Sequence, residues 1–200
     1  MDQRTNATPS TGLPPAAART PVHTRTVVFC GYHREDGLWD IEGEMTDTKA
    51  YAHDTSDRGL LEAGDHVHGM AIRLTVDDKM KIEQVAVTMP STPFPECQPA
   101  REPLQALVGH TLGRGWRKTI DEAMGGIRGC THLRELLFNM ATAAYQTIPL
   151  YRQRLRRLAG LPDPVLKRPP PHMGTCMAWD FNGSQVARNK PQFAGWTDKK

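Results

Sequence analysis

Between Leu38 and Thr48 the residues alternate: Trp39, Ile41, Gly43 and Met45 fall on one side, Leu38, Asp40, Glu42 and Glu44 on the other. Successive strand side chains point to opposite faces, so this period of two fits a half-buried β-strand with its apolar face turned inward. The acidic row reads as a solvated sheet surface, ahead of a metal-binding row of carboxylates.

The neighbouring segments extend this strand into a sheet. Thr24 to Phe29 is β-branched and strand-like. Gly31 to Gly37 reads as a turn, and Lys49 to Glu62 as a polar loop. Val67 to Val76 places Met70, Ile72, Leu74 and Val76 on one side. After the turn Asp77-Asp78-Lys79-Met80, the stretch Lys81 to Thr88 carries Ile82, Val85 and Val87. A turn that short joins a hairpin, and four strands with brief links suggest an antiparallel meander.

The pattern changes at Pro90. Prolines at 90, 93, 95 and 99 exclude a helix or an inner strand, which leaves a stiff loop carrying Cys97. Helical spacing follows. Leu104, Leu107 and Val108 mark a short helix, and Trp116, Ile120, Ala123 and Met124 a second. Leu133, Leu136, Leu137, Met140 and Ala144 mark a third, running to about Ile148 with Thr131 as its cap. Pro149 should break or kink the path before a short helix with Arg152, Arg154, Arg156 and Arg157, whose Leu155 and Leu158 should pack inward. The chain thus divides into a disordered leader (1–21), one α+β domain (22–159) and a proline-rich extension (160–200). That extension carries a hairpin candidate turning at Asn182-Gly183. The fold expected is α+β: an antiparallel sheet of three or four strands, helices packed on one face, irregular tails at both ends.

A net charge of +3 is too small to argue for nucleic acid. The arginine-rich helix offers a surface for a protein partner, though such a run more often forms a solvated helix face. No apolar run suggests a signal peptide or a membrane anchor. Four cysteines in 200 residues do not look like a disulfide scaffold, so a cytoplasmic, reducing environment is expected.

The candidate chemistry centres on Gly129-Cys130-Thr131-His132 at the mouth of the third helix. A helix N-terminus favours negative charge, which eases formation of the Cys130 thiolate. A soft metal ion needs thiolates and neutral imidazoles in fixed geometry. Cys97, Cys130, His132, His68, His66 and Asp65 are the candidate ligands, with Cys176 as an optional addition. The start of the third strand lies beside the end of the fourth, which brings His66 or His68 near Cys97. Zinc and an iron–sulfur cluster both suit such a set. The alternative is a thiol-dependent enzyme acting on an acyl or aromatic substrate. There Cys130 would be the nucleophile and His132, His110 or His68 the base. Residues two apart on a helix do not face each other, which counts against His132. A third reading is an adaptor.

Gly37-Leu38-Trp39-Asp40-Ile41-Glu42-Gly43, Thr46-Asp47-Thr48-Lys49 and Gly129-Cys130-Thr131-His132-Leu133 resemble the bacterial domain-of-unknown-function family 2889, from about His23 to Pro191. That resemblance implies no activity. More distantly, the order of strands, cysteine loop and cysteine-led helix is similar to the U-type scaffold proteins of iron–sulfur cluster assembly. Gly64-Asp65 matches the end of that family's first cysteine motif, with Ala63 in place of the cysteine. Cys97 and Cys130 match its second and third cysteines in order. This likeness implies a pocket near Asp65, Cys97 and Cys130, with His66 or His68 in place of the missing thiolate.

Overall fold

The computed structural model of the chain describes residues 12–197. Residues 1–11 of the expected leader lie outside them, and 12–22 form no helix or strand. The strands are β1 (His23–His33), β2 (Trp39–Lys49), β3 (His53–Thr55), β4 (Gly59–Leu61), β5 (His66–Val76) and β6 (Ile82–Ser91). Four of them build one antiparallel sheet in the order β1-β2-β5-β6. The expected α+β meander is therefore present. The segment expected as a plain loop after β2 contains the small β3–β4 hairpin. There Thr55 Oγ1 donates to the Gly59 carbonyl, and Gly59 takes a φ of 67°, a conformation that a β-branched residue at that position would strongly disfavour.

The register places Arg25, Val27, Phe29 and Gly31 of β1 on one face with Trp39, Ile41, Gly43, Met45 and Asp47 of β2. His68, Met70, Ile72, Leu74 and Val76 of β5 join them on that face. Helix α2 (Thr131–Leu158) covers it, and α1 (Trp116–Met124) packs against α2. Two glycines allow α2 to lie this close. A Cβ on Gly31 would stand 2.7 Å from the Thr147 Cβ, and one on Gly43 would stand 3.3 Å from Met140 Cγ. Leu133, Leu136, Leu137, Met140, Ala144 and Ile148 fill the seam. Of the residues expected in the core, Val85 and Val87 are only partly buried, because β6 is an edge strand.

Three expectations need correction. The proline-rich segment is not a loop throughout: Pro95–Leu107 winds in 3-10 turns, whose φ range matches the fixed φ of proline. Pro149 does not end the third helix, and α2 runs on to Leu158. Contacts on both sides hold it across the missing amide. Ile148 is buried before the proline, and Arg152 after it donates to the Asp78 carbonyl at 2.8 Å. Leu158, expected to pack inward, is 73% exposed at the helix end.

The expected hairpin of the C-terminal extension is also absent among the described residues. Two short 3-10 turns and α3 (Ser184–Asn189) gather Met173, Val186 and Phe193 into a small second cluster with Trp179, Phe181 and Trp196. Gly183 has φ −81°, ψ 154° and leads into α3, whereas a two-residue hairpin turn needs positive φ at that position. The Asn182 amide instead donates to Asp180 Oδ1 at 3.0 Å, an Asx turn.

Candidate functional site

The inward row at one end of the sheet is polar. Asp47 continues the apolar face of β2 yet is a carboxylate, and it is 3% exposed. A charge buried this deeply must be paired. Its Oδ1 accepts from Arg25 Nε at 2.9 Å and lies 2.8 Å from His23 Nε2. Its Oδ2 accepts from Arg25 Nη2 at 2.9 Å and lies 3.1 Å from His68 Nδ1. Burial pushes the Asp47 carboxyl up. The hydrogen bonds from Arg25 and His23 and the charge of Arg25 outweigh that and hold it at about 2.

Strand geometry assembles these groups. The cross-strand pairing sets Arg25 and His68 on either side of Asp47. A register shift follows at once, since Asp47 faces His68 while Thr48 faces His66. Such a bulge re-aims side chains locally. It leaves His66 exposed, with its carbonyl accepting from Arg58 Nη1 at 2.9 Å.

Helix α2 brings the other half. Gly129 is extended and presses on the end of α1, where a Cβ would stand 2.6 Å from the Met124 carbonyl oxygen. The chain therefore enters α2 tightly, with Cys130 as the N-cap residue and Thr131 already helical. This corrects the expected Thr131 cap. Because the Cys130 backbone is extended, with φ −99° and ψ 132°, its side chain swings back over the first turn. Cys130 Sγ lies 3.8 Å from His132 Nδ1. The helical rule that keeps residues two apart from meeting does not apply at a cap position, so the objection to this pair falls away.

The His132 ring lies 4.2 Å from the His68 ring, centroid to centroid, tilted by 51°. One ligand atom each from Asp47, His68 and His132 come within 4.8 Å of one another. Burial pushes the His68 pKa down, helped by the neighbouring His132 and opposed by Asp47. The contact with Cys130 pushes His132 up, against burial. Burial pushes the Cys130 thiol up, but His132 and the amides of Leu133 and His132 bring it down on balance. The His68 Nδ1 atom is buried. It lies 3.1 Å from Asp47 Oδ2 and makes no well-aligned hydrogen bond.

Of the residues named from sequence, His68, His132 and Cys130 come together here. Cys97 lies on the other side of Cys130. Both cysteines line a cleft of about 370 Å³ with Phe94, Pro99, Ile127 and Arg128. Asp65 closes a turn before β5, where its Oδ2 accepts from the Glu62 amide at 2.8 Å. His110 is at the opposite end of the sheet, where its carbonyl accepts from the Ile82 amide. Cys176 is exposed in the C-terminal region, and the four cysteines are unbridged. Arg152, Arg156 and Arg157 are tied to the Asp78 carbonyl, the Pro162 carbonyl and the Asp163 carboxylate, while Arg154 is exposed.

Sequence reading missed Arg25, His23 and the role of Asp47. Parity carried the signal: Asp47 stands two residues beyond Met45 on the face that otherwise reads Trp39, Ile41, Gly43 and Met45. An acid on an inward face asks for a partner.

Fold and site together define a small α+β protein with a partly buried acid–imidazole cluster beside a cysteine at a helix N-cap. The family described as "Protein of unknown function (DUF2889)" has a model that matches residues 23–146, and the chain belongs to that family. No curated protein and no solved structure matches the chain. Among the described residues no helix is long and apolar enough to cross a membrane.

Proposed function

We propose that the protein binds a divalent transition metal at Asp47, His68 and His132. The observation that carries this reading is the meeting of two imidazoles and one carboxylate within 4.8 Å. Two features support it. Burial favours neutral His68, the form that ligates metal. Its buried Nδ1 has no hydrogen bond and faces a carboxylate oxygen, an arrangement that a cation between the two would relieve. Two imidazoles and a carboxylate suit zinc or mononuclear iron(II) better than an iron–sulfur cluster, which takes mostly thiolates. His23 Nε2, 2.8 Å from Asp47 Oδ1, and Cys130 Sγ, 3.8 Å from His132 Nδ1, flank the trio as candidates for a further ligand. Asp65, His66 and Cys97 stand outside the trio. Free cysteines fit a reducing cytoplasm.

The test is metal analysis of protein purified without a chelating tag, followed by zinc(II) and iron(II) titration. The expected result is one equivalent of metal, lost in His68→Ala and in His132→Ala and kept in Cys97→Ser. Folded wild-type protein that takes up neither ion, with no change in melting temperature, ends this reading.

A second reading has its own observation. The contact between Cys130 Sγ and His132 Nδ1 is that of a nucleophile with its base. Cys130 would then serve a thiol-dependent enzyme. The rate of iodoacetamide labelling against pH tests it: a titration displaced below that of an ordinary cysteine is expected, and it should return to the ordinary value in His132→Gln. Ordinary titration in the wild type removes the reading.

A further inference from the structure

The cleft beside Cys130 is not explained by the metal cluster. None of Asp47, His68 and His132 lines it, whereas Cys97 and Cys130 both do. The two sulfurs arrive by different routes. Cys97 is fixed near the start of the 3-10 segment, where its amide donates to the Phe94 carbonyl at 3.2 Å. Cys130 is fixed by the tight approach of Gly129 to Met124. Both side chains are half-buried against the main core, so neither drifts freely in solvent. Two held thiols on one cleft differ from scattered surface cysteines. Cys30 lies in a separate groove with Tyr32 on the outer face of the sheet, and Cys176 is exposed far along the chain.

The rim of the cleft has the features of a docking surface. Ile127 is fully exposed and Phe94 is 51% exposed, so two large apolar side chains flank the opening. Glu96 and Arg128 bring one charge of each sign. Arg128 uses Nε and Nη2 on the Gly125 and Asp121 carbonyls, which fixes the guanidinium and leaves other N–H groups for a ligand. A cleft of about 370 Å³ admits one half of a small zwitterionic disulfide, with its carboxylate toward Arg128 and its ammonium toward Glu96.

We propose that Cys97 and Cys130 act as a dithiol pair that exchanges with low-molecular-weight, zwitterionic disulfides in this cleft. The proposal rests on the thiol reading of Cys130 and requires no metal, so it is tested on metal-free protein. In the first step Cys130 sulfur attacks one sulfur of the disulfide. A Cys130 mixed disulfide forms, the original S–S bond breaks, and one thiol leaves with the proton that Cys130 gave up. In the second step Cys97 sulfur attacks Cys130 sulfur, the second thiol leaves with the Cys97 proton, and a Cys97–Cys130 bond remains. Two protein thiols are oxidised and one small disulfide is reduced to two thiols.

The experiment uses full-length protein with Cys30→Ser and Cys176→Ser, incubated with oxidised glutathione and read by intact mass and peptide mapping. The expected product has lost two hydrogens, carries no glutathione and contains one Cys97–Cys130 bridge. Adding Cys97→Ser should leave one glutathione on Cys130, and adding Cys130→Ser should slow reaction at Cys97 at least tenfold. Circular dichroism and a melting curve for each variant establish that it is folded. Two separate glutathione adducts in folded protein overturn the proposal, as does no reaction at all. Iodoacetamide is run in parallel: labelling of Cys130 displaced below that of an ordinary cysteine, without a bridge, overturns the dithiol pair while leaving the thiol reading intact.

Discussion

The inner face of the sheet has two ends built on the same strands by opposite rules. At one end Trp39, Ile41, Leu74 and Val76 meet Ile148 of α2, and all five are buried apolar side chains. At the other end the equivalent inward positions carry Arg25, Asp47 and His68, and α2 supplies His132 and Glu135. The apolar end is held by burial, which needs shape but no particular chemistry. The polar end is held by a network in which each charge depends on its partner. A fold gains little stability from this second solution, so an Asp–His–His group around a buried carboxylate is where function is best sought.

That contrast can be broken by mutation. Leu74→Ala at the apolar end should cost about 3–4 kcal/mol by chemical denaturation, the transfer term plus a cavity, and leave metal uptake unchanged in the folded fraction. Arg25→Ala at the polar end should cost about 2–3 kcal/mol. That is less than the ~3–5 kcal/mol of a fully buried broken pair, because the Arg25 side chain is 35% exposed. If Arg25→Ala were neutral, Asp47 would not need its partner and the network account would fail.

Acid should separate the ends as well. The Asp47 carboxyl is held at about 2, below its ordinary 3.8. Its stabilisation is therefore fully present above about pH 4 and is lost as pH falls toward 2. Melting temperature followed from pH 5 to pH 2 should drop in the wild type, and Asp47→Asn should lack that component of the drop. The smallest effect is expected at the outer edge of the network. Glu135 pairs with Arg25 at 3.0 Å but is about half exposed, so Glu135→Ala should change stability by less than about 1 kcal/mol. A larger loss would mean that the network reaches further into solvent than its buried carboxylate suggests.

Much of the apolar end was legible in the chain. The alternation in β2 and the stripe from Leu133 to Ala144 each fix a face by local periodicity, and the short turn after Val76 fixes a neighbour. The site was legible only in pieces. His68, His132 and Cys130 stood out as residue types, but Asp47 lay within a motif with no role attached. The helix rule argued against a Cys130–His132 contact, and the cap geometry reversed that.

Periodicity and turn chemistry, which act over a few neighbouring residues, determined from the sequence alone that this chain makes an antiparallel sheet under helices. Which side chains share a hollow was decided only by the tertiary structure. Strand register, the bulge beside Asp47 and the close approach permitted by Gly31 and Gly43 depend on contacts between residues far apart in the chain. A pattern of nearest neighbours does not contain those distances. Packing sets them once the apolar faces have closed together.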